Sequence, residues 1–157
     1  MFKNILVVID MQPFFQASRS RLLIKEHVSQ IRAAISNQEH IIVLEYKDCG
    51  STHKPILNAL KSYDKVKFFA KDYCSGSSLI TKHLTRKNIW PKEIKFMGVN
   101  TGACVEETVI NFVKHVNKNY KQTKVKVIKN GCRCDEYGEK PTNGDFNRME
   151  CHGAIII

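Results

Sequence analysis

The chain has 157 residues, 43% of them hydrophobic, with 25 Lys and Arg against 15 Asp and Glu for a net charge of +10. That length sustains one hydrophobic core and that composition excludes a disordered chain, so a single domain over residues 1–157 is expected. No apolar run reaches the roughly 20 residues that span a bilayer, and the N-terminus leads into an apolar strand without a signal-peptide pattern, which predicts a cytoplasmic protein.

Residues 4–9 form a near-continuous apolar run ahead of Asp10, as in a strand buried on both faces of a parallel sheet. Over 20–37, Leu22, Leu23, Val28, Ile31, Ala34 and Ile35 recur at helical spacing, with Ser20 as the cap. Ile41-Ile42-Val43-Leu44 is the second strand. A short helix is expected over 52–63, where Pro55 fits only the first turn. Residues 65–70 read as the third strand, closed by Lys71, and 77–87 as a helix burying Leu79, Ile80 and Leu84. The fourth strand is 94–99, and the helix behind it carries Val105, Val109, Phe112, Val113 and Val116 on or near one face. Residues 124–128 form the fifth strand, and the Gly-, Asn- and Asp-rich stretch 129–147 reads as loop. At the end of the sequence, Met149, Cys151 and Ala154 suggest helix, whereas Ile155-Ile156-Ile157 suggest a sixth strand.

Such alternation implies an α/β chain with a three-layer α/β/α, Rossmann-like arrangement around a mostly parallel sheet with right-handed crossovers. Ligands in these sheets bind at the carboxyl ends of the strands, where the strand order reverses. Asp10, Lys71 and Cys104 each follow a predicted strand, so all three belong to one rim. Cys104 is placed by Gly98-Val99-Asn100-Thr101-Gly102-Ala103-Cys104-Val105, a strand, a tight turn and a helix start. At a helix start, unpaired N–H groups favour thiolate over thiol and offer donors to an oxygen turning anionic. A depressed thiol pKa is therefore expected at Cys104.

Cys49, Cys74, Cys104, Cys132, Cys134 and Cys151 are irregularly spaced and read as free thiols rather than a disulfide framework. Cys132-x-Cys134 with Cys151-His152 departs from the usual spacing of structural zinc, and these are taken as loop and core thiols. Much of the positive charge lies in Lys114, Lys118, Lys121, Lys124, Lys126 and Lys129. Around the fifth strand the lysines alternate with apolar residues, as on an exposed sheet face or edge. No nucleic-acid-binding motif accompanies them, so a solvated surface is expected.

These residues resemble the isochorismatase-like cysteine hydrolases, which include nicotinamidases and carbamoyl-amide hydrolases. The family pattern is an Asp after strand one with Gln two and Phe five positions on, a Lys after strand three, and G-V-x-T-x-x-C-V before a helix. Asp10, Gln12 and Phe15 fit the first part, Lys71 with Ser75 the second, and Gly98, Val99, Thr101, Cys104 and Val105 the third. The match runs in order from about residue 4 to about residue 130.

The resemblance implies strand order 3-2-1-4-5, a catalytic set of Asp10, Lys71 and Cys104, and a cis peptide at Val99–Asn100. It implies that the N–H groups of Asn100 and Cys104 receive an oxyanion. Phe15 and Gln12 are candidate substrate contacts; core packing of Phe15 and a structural hydrogen-bonding role for Gln12 are the alternatives. The implied reaction is hydrolysis of a C–N bond in a small amide or carbamoyl compound through a Cys104 thioester. Two departures bear on the substrate. The segment Glu45 to His53 lacks the Asp-x-His spacing of the metal-binding nicotinamidase branch, so no metal and no cofactor are expected, with Asp48 and His53 the residues to watch. Ser77 stands where the family often has an aromatic, and Asn130-Gly131 where it has Asp-Ala. A homo-oligomer is the expected assembly, with a small amide as partner and neither nucleic acid nor membrane. Two rival readings remain: a non-catalytic basic interaction module, and a thiol sensor using Cys104 or the Cys132/Cys134 pair.

Overall fold

The computed structural model describes residues 4–120, 122–134 and 143–157. Lys121 and residues 135–142 of the expected loop lie outside these. The elements follow the predicted alternation: β1 (Asn4–Ile9), α1 (Arg21–Ser36), β2 (His40–Tyr46), α2 (Lys54–Leu60), β3 (Val66–Lys71), α3 (Ser77–Lys87), β4 (Glu93–Val99), α4 (Glu106–Asn119), β5 (Lys124–Arg133), α5 (Asn143–Cys151) and β6 (Ile155–Ile156). They build one six-stranded sheet in the order β3-β2-β1-β4-β5-β6, and every pairing in it is parallel. Among the described residues, no helix is long and apolar enough to cross a membrane.

The sheet separates two apolar layers. Ile5, Val7 and Ile9 of β1 face α3, α4 and α5, where they meet Leu84, Val109, Phe112 and Met149. Leu6 and Val8 face α1 and α2, against Leu23, Ile31, Ile56 and Leu60. The period-two side-chain alternation of a strand is thus spent on two cores at once, which is why β1 reads as unbroken hydrophobicity. Ser20 caps α1 as expected, its hydroxyl accepting the Leu23 N–H at 3.4 Å.

Two stretches depart from the sequence reading. β5 continues through residues expected to be loop, as far as Arg133. Its pairing with β4 jumps from Phe96↔Val127 to Gly98↔Cys132, so residues 128–131 bulge opposite Met97 alone. A Cβ at Gly131 would lie 2.8 Å from the Met97 Cβ, so the glycine that suggests a turn serves a close approach inside a bulged strand. The C-terminal ambiguity resolves as both elements in succession. α5 ends at a turn through Gly153, whose φ of +108° suits a residue without Cβ, and β6 then pairs with Lys126 and Val127.

Candidate active site

Asp10, Tyr46, Lys71 and Asn100 stand at or just past the carboxyl ends of β1, β2, β3 and β4, so four adjacent strands deliver their last side chains to one rim. At Asp10 the chain turns with φ +53°, a left-handed conformation that Asp tolerates better than most residues, and its N–H donates to the Leu44 carbonyl at 2.9 Å. Close strand packing sets the other wall. Gly98 pairs with Ile9, and a Cβ there would sit 2.1 Å from the Ile9 carbonyl oxygen, so only glycine lets β4 approach β1 this closely. The Val99–Asn100 peptide that follows is cis, at the place the resemblance implies.

Beyond Asn100 the chain does not enter α4 directly. Thr101–Val105 winds as a π-helical turn, with the N–H groups of Ala103 and Val105 both donating to the Asn100 carbonyl at 3.1 Å. Cys104 lies in this turn. α5 closes over it: a Cβ at Gly102 would come within 2.9 Å of the Asp145 carboxylate, and Arg148 pairs with Glu106 at 2.9 Å.

The structure brings Asp10, Lys71 and Cys104 together. The Lys71 ammonium lies 2.8 Å from the Asp10 carboxylate, and the Cys104 thiol sits beside that same carboxylate, near enough to feel its charge. Burial is nearly complete, with residual exposures of 0% for Asp10, 2% for Lys71 and 5% for Cys104. Lys71 is held on two further sides, by the Tyr73 carbonyl at 3.2 Å and by the Tyr46 ring, 4.3 Å from ammonium to ring centre.

The electrostatics correct one expectation. Cys104 is not a low-pKa thiol; it is pushed up to about 12, first by burial and then by the adjacent Asp10 charge, with Lys71 opposing and Cys74 adding a smaller push. Asp10 is itself raised above the usual carboxylate range by burial, against the pull of Lys71. Desolvation outweighs the local dipoles because the charged forms of both groups have lost water. The resting thiol is therefore neutral, next to the Asp10–Lys71 salt bridge.

The remaining candidates fall around this centre. Gln12 is fully buried and its amide is committed to backbone: it donates to the Tyr46 carbonyl at 2.9 Å and the Gly50 carbonyl at 2.6 Å, and accepts the Tyr46 N–H at 2.7 Å. Both amide hydrogens brace the turn after β2, which steadies Tyr46 under Lys71. Phe15 is half-buried and meets the Tyr46 ring edge-on at 6.3 Å. His53 is bonded to the Ser18 hydroxyl at 2.9 Å, and Glu45 accepts both the N–H and the hydroxyl of Thr52. Among the described residues, no three His, Cys, Asp or Glu side chains gather to hold a metal ion. Cys132 is a buried core thiol and Cys151 is exposed. Sequence reasoning missed Tyr46, the Tyr73 carbonyl and Cys74. Tyr46 was within reach, since it ends a strand on the same rim; the other two depend on how the loop after β3 folds back.

No family model and no curated protein matches the chain. Solved structures do. The chain is similar to the MAR1 ribonuclease of Caenorhabditis elegans, at a TM-score of 0.79 and 21% identity over 98% of this chain and 75% of that one. It is similar to the nicotinamidase of Staphylococcus aureus, at 0.76 and 20% over 99% of both chains. A third likeness is to N-carbamoylsarcosine amidase from Thermoplasma acidophilum, at 0.70 and 14% over 99% of this chain and 95% of that one. The chain has the isochorismatase-like hydrolase fold.

Proposed function

We propose that the protein hydrolyses a C–N bond in a small amide or carbamoyl compound, with Cys104 as nucleophile, Asp10 as proton carrier and Lys71 as the fixed cation. One observation carries this reading: a thiol, a carboxylate and an ammonium, supplied by three separate segments, meet in direct contact in a nearly water-free rim. A buried nucleophile beside a base, with the base oriented by a third group, is the arrangement that covalent catalysis needs. Two of the solved structures similar to this chain are described as a nicotinamidase and an N-carbamoylsarcosine amidase, both enzymes of C–N cleavage.

The raised pKa values define the proton's path. A free thiolate is not stored; the Cys104 proton passes to Asp10 as sulfur attacks the carbonyl carbon. The upward shift of Asp10 makes it a stronger base than an ordinary carboxylate, and Lys71 keeps its charge in place. In the proposed sequence the tetrahedral oxyanion is received by the N–H groups of Asn100 and Cys104. Collapse breaks the C–N bond, the departing nitrogen takes the proton from Asp10, and a thioester is left on Cys104. Water then attacks the thioester, Asp10 accepts its proton, and the proton returns to sulfur as the acid leaves. Gln12 supports the site indirectly through Tyr46, and Phe15 offers an aromatic wall to a planar substrate.

The test is a panel of small amides and carbamoyl compounds assayed for released ammonia or amine, with Cys104→Ala and Lys71→Met beside the parent protein. A slow substrate should also leave an acyl adduct on Cys104, visible as a mass increase on its peptide. Undiminished turnover in Cys104→Ala, or an adduct on another cysteine, overturns the assignment.

A further inference from the structure

A second concentration of chemistry lies on the far edge of the sheet. α3 presents Lys82, His83, Arg86 and Lys87 toward the edge strand β3, and Lys67 faces them from that strand, around a cavity of about 580 Å³ with Phe69 in its wall. A second hollow of about 410 Å³ shares Lys67, His83 and Lys87 and runs on to Lys65 and His40, where Asp64 is the one carboxylate. The two hollows adjoin along the β3 edge of the sheet. α3 carries no acidic residue. Among the described residues, Lys65, Lys67, Lys82, Arg86 and Lys87 enter no ion pair. Protection of an exposed sheet edge accounts for Lys67 on β3 and Lys65 just before it; it does not account for three more cations on the helix that faces them. The crowding is felt within the groove: His83 is held below its usual pKa by burial and then by Lys67 and Lys87.

We propose that this groove between α3 and β3 binds single-stranded nucleic acid, its cations tracking the phosphates and the Phe69–His83 ring pair meeting a base. Several features favour an extended polyanion over a compact phosphate ligand. The donors are side chain ends spread along a track. Cations at positions 82, 86 and 87 with His83 between them follow one face of the helix for more than a turn. The rings of Phe69 and His83 lie 5.3 Å apart and edge-on, giving an aromatic surface among the charges. A basic groove with interleaved rings is the usual construction for single-stranded nucleic acid, and the net charge of +10 draws such a ligand from a distance. The sequence hides this site because Lys67 and the α3 cations are separated by a loop, and only the fold brings them to one edge.

Fluorescence anisotropy with labelled oligo-uridylate and oligo-deoxythymidylate tests it on the full chain. Contact with three phosphates predicts affinity about 20-fold weaker at about 200 mM salt than at about 50 mM. The triple variant Lys82→Glu, Arg86→Glu, Lys87→Glu, at exposed helix positions, should lose at least about tenfold in affinity. Lys67→Glu, on the opposite wall, should lose affinity independently. The charge-matched control Arg21→Glu, Lys25→Glu, Arg32→Glu on α1 should shift affinity by less than about threefold. Equal losses in the α1 and α3 variants would mean that net charge alone is read and would overturn the groove. So would binding to phosphatidylserine vesicles without binding to either oligonucleotide, or no binding to either.

Discussion

Asp10→Asn should make Cys104 a more acidic thiol and at the same time an inert one. Beyond burial, the Asp10 charge keeps the thiol protonated, while Lys71 pulls the other way. Neutralising Asp10 removes the first influence and leaves the second. A unit charge at about 4 Å, with an effective dielectric of about 20, is worth about 4 kcal/mol, or about three pKa units. The thiol, pushed up to about 12 in the parent protein, should then titrate well below that value, with burial still holding it above an exposed cysteine. The measurement is iodoacetamide alkylation of the Cys104 peptide across a pH series, read by mass spectrometry, with exposed Cys151 as internal reference. Near pH 9 each unit of that fall raises the thiolate fraction about tenfold, so labelling of order 10²-fold faster is expected for Asp10→Asn. Hydrolysis should fall by about 10²–10⁴, because no carboxylate remains to carry the proton. An unchanged or higher Cys104 pKa in the variant would refute the reasoning: Asp10 would not be the charge that holds the proton on sulfur.

His27 is fully buried, bonded to the Gly131 carbonyl at 2.9 Å, and its pKa is lowered to about 4 by burial. The unfolded chain takes up this proton near pH 6.5 and the folded one only near pH 4, so stability should fall by about 3 kcal/mol across that window as acid is added; denaturant melts of His27→Gln should show a flatter profile there. Cys132 is pushed up to about 12 by burial, so above pH 9 the unfolded state sheds a proton that the folded state keeps. Stability should drop by about 1.4 kcal/mol per pH unit from this residue, and Cys132→Ala should remove that slope in alkaline melts. Gly98→Ala should cost about 3 kcal/mol or more, since its Cβ would press 2.1 Å from the Ile9 carbonyl at φ +147°. A thermal melt shifted by less than about 4 °C would show that β4 and β1 part more readily than this packing implies.

The sheet was legible in the sequence because its strands are buried on both faces, so β1, β2 and β4 stand out as apolar runs, and alternation with amphipathic helices leaves few topologies. β3 was legible for a different reason: the short run ending at Lys71 gains its meaning from its place between helices. The far half of β5 was not, because a bulge and a loop share the same Asn-Gly vocabulary, and only the contact with Met97 tells them apart. That Asp10 and Lys71 reach one rim followed from strand ends. Its electrostatics did not, since the pKa of Cys104 depends on how much water the folded rim excludes, and α5 helps to seal the turn from far along the chain. Gln12 shows the same limit: its spacing from Asp10 is plain in the sequence, whereas the three backbone partners that occupy it come from β2 and the turn beyond.

Lys71 is the only buried residue of its strand, and that strand is the outermost one on its side of the sheet. The pairing of Tyr46 with Lys71 is the last rung of the β2–β3 ladder. A slip of one residue along that ladder would turn Lys71 to the opposite face of the sheet. Edge strands are also among the first parts of a fold to detach. The centre is thus built so that its cation arrives with an edge strand. On the proposed mechanism, chemistry at Cys104 then becomes a report on the integrity of the sheet's rim: in a denaturant series, turnover should vanish while the α-helical signal is still intact. A protein with a frayed edge would keep its shape and lose its reaction.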